Sequence, residues 1–124
     1  MITGLHHATF ITSDLARSRA FYEGVLGLQA DAKRPVMSFE GVWYEVGTDQ
    51  QIHLMLLPDP EAGLQRPRHG GRDRHVALVV KELAWLMSRL DVANIRYSVS
   101  QSGRRALFCR DPDQNALEFI EVVA

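Results

Sequence analysis

Two stretches of this chain are copies of one pattern, and this duplication constrains the fold more than any other feature. The first, His7–Leu15, reads HATFITSDL, and the second, His75–Leu83, begins 68 positions later and reads HVALVVKEL. In both, a histidine opens a β-branched and apolar run that is typical of a strand, and an acid follows seven residues later. A segment with helical spacing comes next. The repeat therefore predicts two equivalent modules in an α+β fold.

Each module is predicted to follow the order β-α-β-β-β in a mixed, curved sheet. In the first module a strand at residues 5–12 precedes a helix from Leu15 to about Leu26 that Gly27 ends, and further strands are expected at about 36–40, 42–46 and 51–57. In the second, a strand at 74–80 and a helix at 81–93 precede strands at 96–100, 105–110 and 116–122. The predicted boundaries within one 124-residue domain are about 3–57, a linker at 58–73, and about 74–123.

The bulk composition narrows the class of partner. A net charge of −1 gives no general attraction for nucleic acid or for an anionic membrane surface. No apolar run approaches the roughly 18–20 residues that cross a bilayer, and the amino terminus lacks the layout of a signal peptide. Cys109 is the single cysteine, so no intrachain disulfide forms, and its apolar strand favours a packed thiol over a nucleophile. We expect a cytoplasmic protein with a small-molecule partner.

Four polar side chains stand at matched places in the two halves. His7 and His75 open the first strand of each module, while His53 and Glu118 lie on the closing strands among apolar neighbours. A buried, unpaired carboxylate costs several kcal/mol, so Glu118 needs a cation, a metal or a proton. Three imidazoles and one carboxylate suit a divalent ion with open positions for substrate. Hydrogen-bonded histidines that only support the core are the alternative interpretation.

Other histidines, several arginines and two aromatic residues are further candidates for the site. His6 should face away from His7 on the strand, and His69 in the linker is expected to be solvated. The linker holds Arg66, Arg68, Arg72 and Arg74, which could form a rim that binds an anion or could pair with nearby acids. We predict Arg72, Arg74 and Tyr44 as substrate-binding residues, with core packing as the alternative for Tyr44 and Trp43. Arg104 and Arg105 are expected to be solvated.

The two ends of the chain resemble the motifs of a known superfamily. Leu5–Leu15, followed by Ser18–Tyr22 and Val25–Leu28, is similar to the opening motif of the vicinal oxygen chelate proteins, which include glyoxalase, methylmalonyl-CoA epimerase, fosfomycin resistance proteins, bleomycin-binding proteins and extradiol dioxygenases. Asp111–Phe119 resembles the closing motif. The resemblance implies paired β-α-β-β-β modules, each enclosing half of a metal-centred cavity, and a homodimer in which modules of different subunits often complete each site.

The resemblance also implies roles for individual residues. His7, His75 and Glu118 match the metal ligands of the catalytic members, and His53 stands where glyoxalase and the epimerase place a glutamate or glutamine. Glu118 and His53 are then the candidate proton carriers. The shared chemistry is the binding of two neighbouring substrate oxygens to a divalent ion, for which Zn, Ni, Fe, Mn and Co all fit the donors.

These observations predict a metal-dependent lyase, isomerase or transferase of the glyoxalase and fosfomycin-resistance type. If His53 is not a ligand, an Fe(II) extradiol-type dioxygenase is the alternative, since two histidines and a glutamate then remain. A non-catalytic protein that sequesters a drug or metabolite, as bleomycin resistance proteins do, is the alternative from another class.

Overall fold

The structure is a computed structural model that describes residues 1–122, and it contains two compact units. The first unit covers residues 1–62 and the second begins at Gly63, inside the predicted linker. The predicted end of the second module, residue 123, lies outside the described residues. No helix within residues 1–122 has the length and apolar character needed to cross a bilayer.

The first unit is a four-stranded mixed sheet. Its strands are β1 (His7–Thr12), β2 (Gln29–Ala30), β3 (Gly41–Val46) and β4 (Gln50–Leu56), arranged in the order β1-β4-β3-β2. Only β1 and β4 pair in parallel. Helix α1 (Leu15–Arg19) begins where the Asp14 side chain accepts from the backbone N–H of Arg17, and it continues as a π-helix over Ala20–Val25. Gly27 follows with a φ of 74°, the predicted left-handed cap.

The second unit repeats this topology. Its strands are β5 (His75–Val80), β6 (Tyr97–Val99), β7 (Ala106–Arg110) and β8 (Ala116–Glu121), in the order β5-β8-β7-β6. Strands β5 and β8 are the parallel pair. Helix α2 (Leu83–Val92) begins at a carboxylate from the sheet, because Glu121 Oε1 accepts from the backbone N–H of Leu83 at 2.9 Å. A short 3₁₀ helix at Gly70–Arg72 lies in the segment that was predicted to be irregular.

The register of the two sheets is equivalent, which confirms the duplication at the level of single residues. Thr9 lies opposite His53 in the first sheet, and Ala77 lies opposite Glu118 in the second. Each opposing residue is two positions after the histidine that opens its strand. His53 and Glu118 therefore occupy the same place in the two sheets, as the sequence predicted.

One face of each sheet is apolar and carries the core. In the first unit Tyr44 stacks on Tyr22 from the π-helix, with the rings 5.6 Å apart. In the second unit Leu86 and Leu90 of α2 are buried with alternate residues of β7 and β8. Because side chains alternate along a strand, Trp43 and His53 in the first unit, and Phe108 and Glu118 in the second, lie on the other face. That second face carries His53 and Glu118, two of the predicted metal ligands.

One predicted strand was wrong, and the predicted helix has the expected span but a different type in its second half. No strand forms at residues 36–40, where Val36 is fully exposed; the second strand is instead Gln29–Ala30, directly after the helical segment. The predicted single α-helix is an α-helix followed by a π-helix. Gly41 begins β3, and a Cβ there would lie 2.2 Å from the carbonyl oxygen of Leu54, so only glycine fits at this position.

Candidate metal-ligand residues on two equivalent sheets

The pair formed by His75 and Glu118 is the most informative feature of the second unit. Nε2 of His75 lies 3.1 Å from Oε1 of Glu118, whose residue is only 4% exposed. Nδ1 of the same imidazole lies 2.9 Å from the backbone carbonyl oxygen of Asp73. A carbonyl oxygen can only accept, so Nδ1 carries a proton. Nε2 donates to the carboxylate when it also carries a proton, and it offers its lone pair to a metal when it does not.

Arg104 supplies the positive charge that buried Glu118 requires. Its guanidinium donates to Oε2 of Glu118 at 2.5 Å, while His75 faces the other carboxylate oxygen. Arg104 and Arg105 are exposed, as expected, but each also forms an ion pair, and the partner of Arg105 is Glu121. Both arginines belong to a turn distant in sequence from these acids. The need of Glu118 for a counter-charge was the one signal in the sequence that pointed to such a partner.

In the first unit His53 is held between two rings. Its imidazole stacks on His7, with centroids 4.0 Å apart, and on Trp43, with centroids 4.4 Å apart. Burial, followed by the neighbouring His7 and His6, lowers the pKa of His53 to about 4. The imidazole is thus neutral at physiological pH and keeps one nitrogen lone pair for a metal or a proton.

A short relay of hydrogen bonds determines which nitrogen that is. Gln51 Nε2 donates to Oδ2 of Asp31 at 2.9 Å, so the amide oxygen of Gln51 must be the atom that faces His53. His53 Nε2 lies 2.8 Å from that oxygen and is the donor. The free lone pair of His53 is then on Nδ1. Metal-bound histidines in general donate their other ring N–H in this way. The sequence analysis did not single out Asp31 or Gln51, although Gln51 shares a strand face with His53.

His6 and Tyr44 do not lie where the sequence predicted them. His6 does not turn away from His7, because their Nδ1 atoms are 2.8 Å apart. Tyr44 is fully buried on the helix-covered face, and its hydroxyl donates to Glu23 at 2.8 Å. Burial, followed by this hydrogen bond, raises the pKa of Tyr44. A substrate held on the face of His53 would not reach Tyr44, so core packing is the correct interpretation and Trp43 is the aromatic residue beside the histidines.

The arginines predicted in the linker at residues 58–73 and beside it differ in exposure and pairing. Arg72 and Arg74 are exposed in the second unit, next to the strand that His75 opens. Arg66 instead pairs with Asp73 at 3.5 Å, the same carboxylate to which Arg110 donates at 2.9 Å. The hydrogen bond from Arg110 is the main cause that holds the pKa of Asp73 below its ordinary value. Cys109 is buried, as predicted, and burial raises the pKa of its thiol to about 12.

Each unit taken by itself supplies two donors of the predicted set. His7 and His53 are neighbours in the first, and His75 and Glu118 are neighbours in the second. Within either unit, no three His, Cys, Asp or Glu side chains of residues 1–122 form a group that could hold a metal ion.

Comparisons with known proteins agree with this architecture. The family model for the Glyoxalase/Bleomycin resistance protein/Dioxygenase superfamily matches residues 4–119. Glyoxylase I 4 of Arabidopsis thaliana is 27% identical over 122 residues, which cover 94% of this chain and 70% of that protein. The uncharacterized protein YwkD of Bacillus subtilis is 30% identical over 127 residues, with 98% of each chain covered.

A solved structure shares the fold. A variant of the fosfomycin resistance protein FosX from Listeria monocytogenes, complexed with Mn(II) and 1S,2S-dihydroxypropylphosphonic acid, superposes with a TM-score of 0.76 at 18% identity. The alignment covers 99% of this chain and 95% of the other. The match of the family model over nearly the whole length, together with the two repeated sheets, identifies the family. The chain belongs to the Glyoxalase/Bleomycin resistance protein/Dioxygenase superfamily.

Proposed function

We propose that this protein is a metal-dependent enzyme of the glyoxalase and fosfomycin-resistance type, a lyase, isomerase or transferase that acts on a small oxygenated metabolite. Its proposed metal ligands are His7, His53, His75 and Glu118. The observation that carries the proposal is the His75–Glu118 pair, in which a backbone carbonyl fixes the tautomer that turns Nε2 towards a buried carboxylate. Membership of a superfamily that includes a Mn(II)-bound protein supports it.

The spacing of this pair fits a divalent ion. Two donors that bind one ion at about 2.0–2.2 Å with a right angle between them are about 3.0 Å apart. The 3.1 Å between His75 Nε2 and Glu118 Oε1 agrees with that value. The nitrogen and carboxylate donors suit Zn, Ni, Fe, Mn or Co equally.

The residues have separate proposed tasks. A bound divalent ion would withdraw electron density from two neighbouring substrate oxygens. His53, whose Nδ1 keeps a lone pair, and Glu118 are the proposed proton carriers. Arg72 and Arg74 are proposed to bind an anionic group of the substrate, because guanidinium groups hold carboxylates and phosphates through paired hydrogen bonds. A homodimer remains our prediction and can be measured by light scattering.

One observation favours a second candidate function. The ring of His53 is stacked on both faces, by His7 and by Trp43. If His53 stays outside the ligand set, His7, His75 and Glu118 form the two-histidine, one-carboxylate group typical of Fe(II) oxygenases. The second candidate is therefore an extradiol-type dioxygenase that cleaves a catechol.

Metal content separates these candidates. The protein is purified without oxygen, analysed for elements, then stripped with EDTA and titrated with Mn(II), Ni(II), Zn(II) and Fe(II) by calorimetry. We expect one ion per chain and loss of binding in His75→Ala, with His69→Ala as the matched histidine control. Iron with oxygen uptake on catechols would favour the dioxygenase. Absence of any metal binding by the wild-type protein would contradict both and favour a sequestering protein.

A further inference from the structure

A cavity in the second unit concentrates positive charge. It has a volume of about 740 Å³ and lies between residues 64–70 and strands β6 and β7. Four arginines line it, and no aspartate or glutamate is among its lining residues: Arg66, Arg68, Arg96 and Arg110. The chain as a whole has a net charge of −1, so this local excess is not a general property of the surface. A cleft lined by one sign of charge attracts ligands of the other sign.

Two of the four arginines build the cavity wall. Arg110 donates to the backbone carbonyl of Pro67 at 2.6 Å and to that of Gln114 at 2.7 Å, and it also pairs with Asp73. These bonds fix residues 64–68 against the sheet. Arg66 pairs with the same aspartate. Asp73, which is not among the lining residues, neutralises part of the charge of Arg66 and Arg110.

The other two arginines are available to a ligand. Arg68 and Arg96 are exposed and line the cavity from two different segments, residues 64–70 and the residue before β6. Within residues 1–122 neither takes part in an ion pair. Two guanidinium groups that face one cavity can hold a carboxylate or phosphate from both sides.

Part of the remaining lining is apolar, which narrows the class of ligand further. Leu64, Ile95 and Phe108 contribute side chains to the cavity. Its volume lies in the range of sites for small molecules, about 300–1,000 Å³. An inorganic anion would use the arginines and leave this apolar surface uncovered.

Phe108 also connects the cavity to the residues proposed to bind metal. Its ring packs edge-on against His75, with centroids 5.6 Å apart, and Phe108 is the register partner of Glu118. The cavity and the His75–Glu118 pair therefore share a face of one sheet and one aromatic wall. A ligand in the cavity that contacts Phe108 would therefore lie one aromatic ring away from that pair.

We propose that this arginine-lined cavity binds an organic oxyanion, a carboxylate or phosphate attached to an apolar body, with Arg68 and Arg96 holding the charged group. The inference deepens the proposed function, on which it rests for the claim that this ligand is the substrate. Arg72 and Arg74 are not among the residues that line the cavity, so Arg68 and Arg96 take their place in holding the anionic group. Binding to the cavity itself does not require the metal.

Phenyl phosphate titrated into EDTA-treated protein tests the cavity directly, with calorimetry for affinity and amide NMR shifts for location. Inorganic phosphate carries the charge without the ring, and phenol carries the ring without the charge. We expect phenyl phosphate to bind tightest and to shift the amides of Gly70 and Phe108. The double variant R68A/R96A should weaken binding at least about tenfold, because two charge-assisted contacts are lost. Arg89→Ala, on α2, should bind like the wild type.

The outcomes separate this inference from the proposed function. Equal affinity in R68A/R96A and wild type, equal affinity for phenol and phenyl phosphate, or no binding at all would overturn the inference. Each of these results leaves the metal titration unaffected. Conversely, a protein that binds phenyl phosphate through Arg68 and Arg96 but takes up no metal would keep the cavity and refute the metal-dependent activity.

Discussion

Arg104 and His75 contact different oxygens of one buried carboxylate: the guanidinium donates to Oε2 of Glu118 and the imidazole faces Oε1. The carboxylate therefore has an arginine cation at one oxygen and an imidazole nitrogen at the other. A divalent ion bound at Oε1 would not need to displace Arg104. The contacts of Arg104 and His75 thus make separate predictions for stability and for metal binding.

Removal of Arg104 should destabilise the metal-free protein more than the metal-bound one. In Arg104→Ala, buried Glu118 loses its counter-charge; because the Arg104 side chain is 59% exposed, we expect a loss of about 1 kcal/mol. Mn(II) should reduce this loss, since the ion supplies positive charge to the same carboxylate. Urea unfolding with and without Mn(II) measures it.

Arg105→Ala is the matched control for that experiment. Arg105 pairs with Glu121, which also accepts from the first N–H of α2. The loss of unfolding free energy in Arg105→Ala should be the same with and without Mn(II). An Arg104→Ala loss that is equally independent of the metal would contradict the idea that Glu118 is a ligand.

The relay from Asp31 through Gln51 should set the tautomer of His53. Because Gln51 must present its oxygen to His53, the proton is expected on Nε2 in the wild-type protein. Ring ¹⁵N shifts measured by NMR in the metal-free protein report this directly. In Gln51→Leu we expect a mixture of both tautomers. An Nδ1-protonated ring in the wild type would refute the relay.

Cys109 should make the protein less stable at alkaline pH. Burial raises the thiol pKa from 9 to about 12, so the folded state resists ionisation that the unfolded state allows. The contribution of the protonated thiol to the free energy of unfolding is complete below pH 9. It is lost as the pH rises from 9 towards 12, at about 1.4 kcal/mol per pH unit. Urea unfolding at pH 8, 9 and 10 should show this slope in the wild type.

The variant Cys109→Ala removes the titrating group. It should be less stable overall because a buried side chain is shortened, yet its stability should change less between pH 9 and 10. Tyr44 also resists ionisation when folded, but its ordinary pKa of 10 places most of its effect at higher pH. Equal slopes in both proteins would contradict the assignment to Cys109.

Gly41 should not accept a side chain. A Cβ at this position would lie 2.2 Å from the backbone oxygen of Leu54 on the neighbouring strand, and backbone atoms in a sheet cannot shift independently. We expect Gly41→Ala to lower the free energy of unfolding by about 2 kcal/mol. Gly24→Ala, where a Cβ meets nothing within 4 Å, is the control and should not be destabilised.

The duplicated pattern was enough to predict both sheets because it appears twice, and a strand that is ambiguous in one copy is supported by the other. The second strand of the first module was the exception. Gln29–Ala30 is a two-residue edge strand that is exposed on both faces, so no alternation of apolar residues marks it. Val36–Glu40 had a better strand composition, but it makes no ladder.

The candidate metal ligands were predictable from the sequence, but the residues that bond to them were not. Polar residues within apolar strands, such as Glu118, conflict with their surroundings and so stand out in the sequence. Arg104 and Asp31 lie in loops, where an exposed charge is ordinary. Their pairing with a strand residue depends on where the loop returns over the sheet, and periodicity carries no information about that.

The parallel pairing of the first and last strands has a consequence for assembly. His75 and Glu118 are 43 positions apart, and they become neighbours only when β8 inserts beside β5 at the centre of its sheet. Such distant pairings form late because a long loop must close first. A metal ion would therefore bind only after the second module has folded. A chain truncated before β8 would lack the carboxylate ligand Glu118.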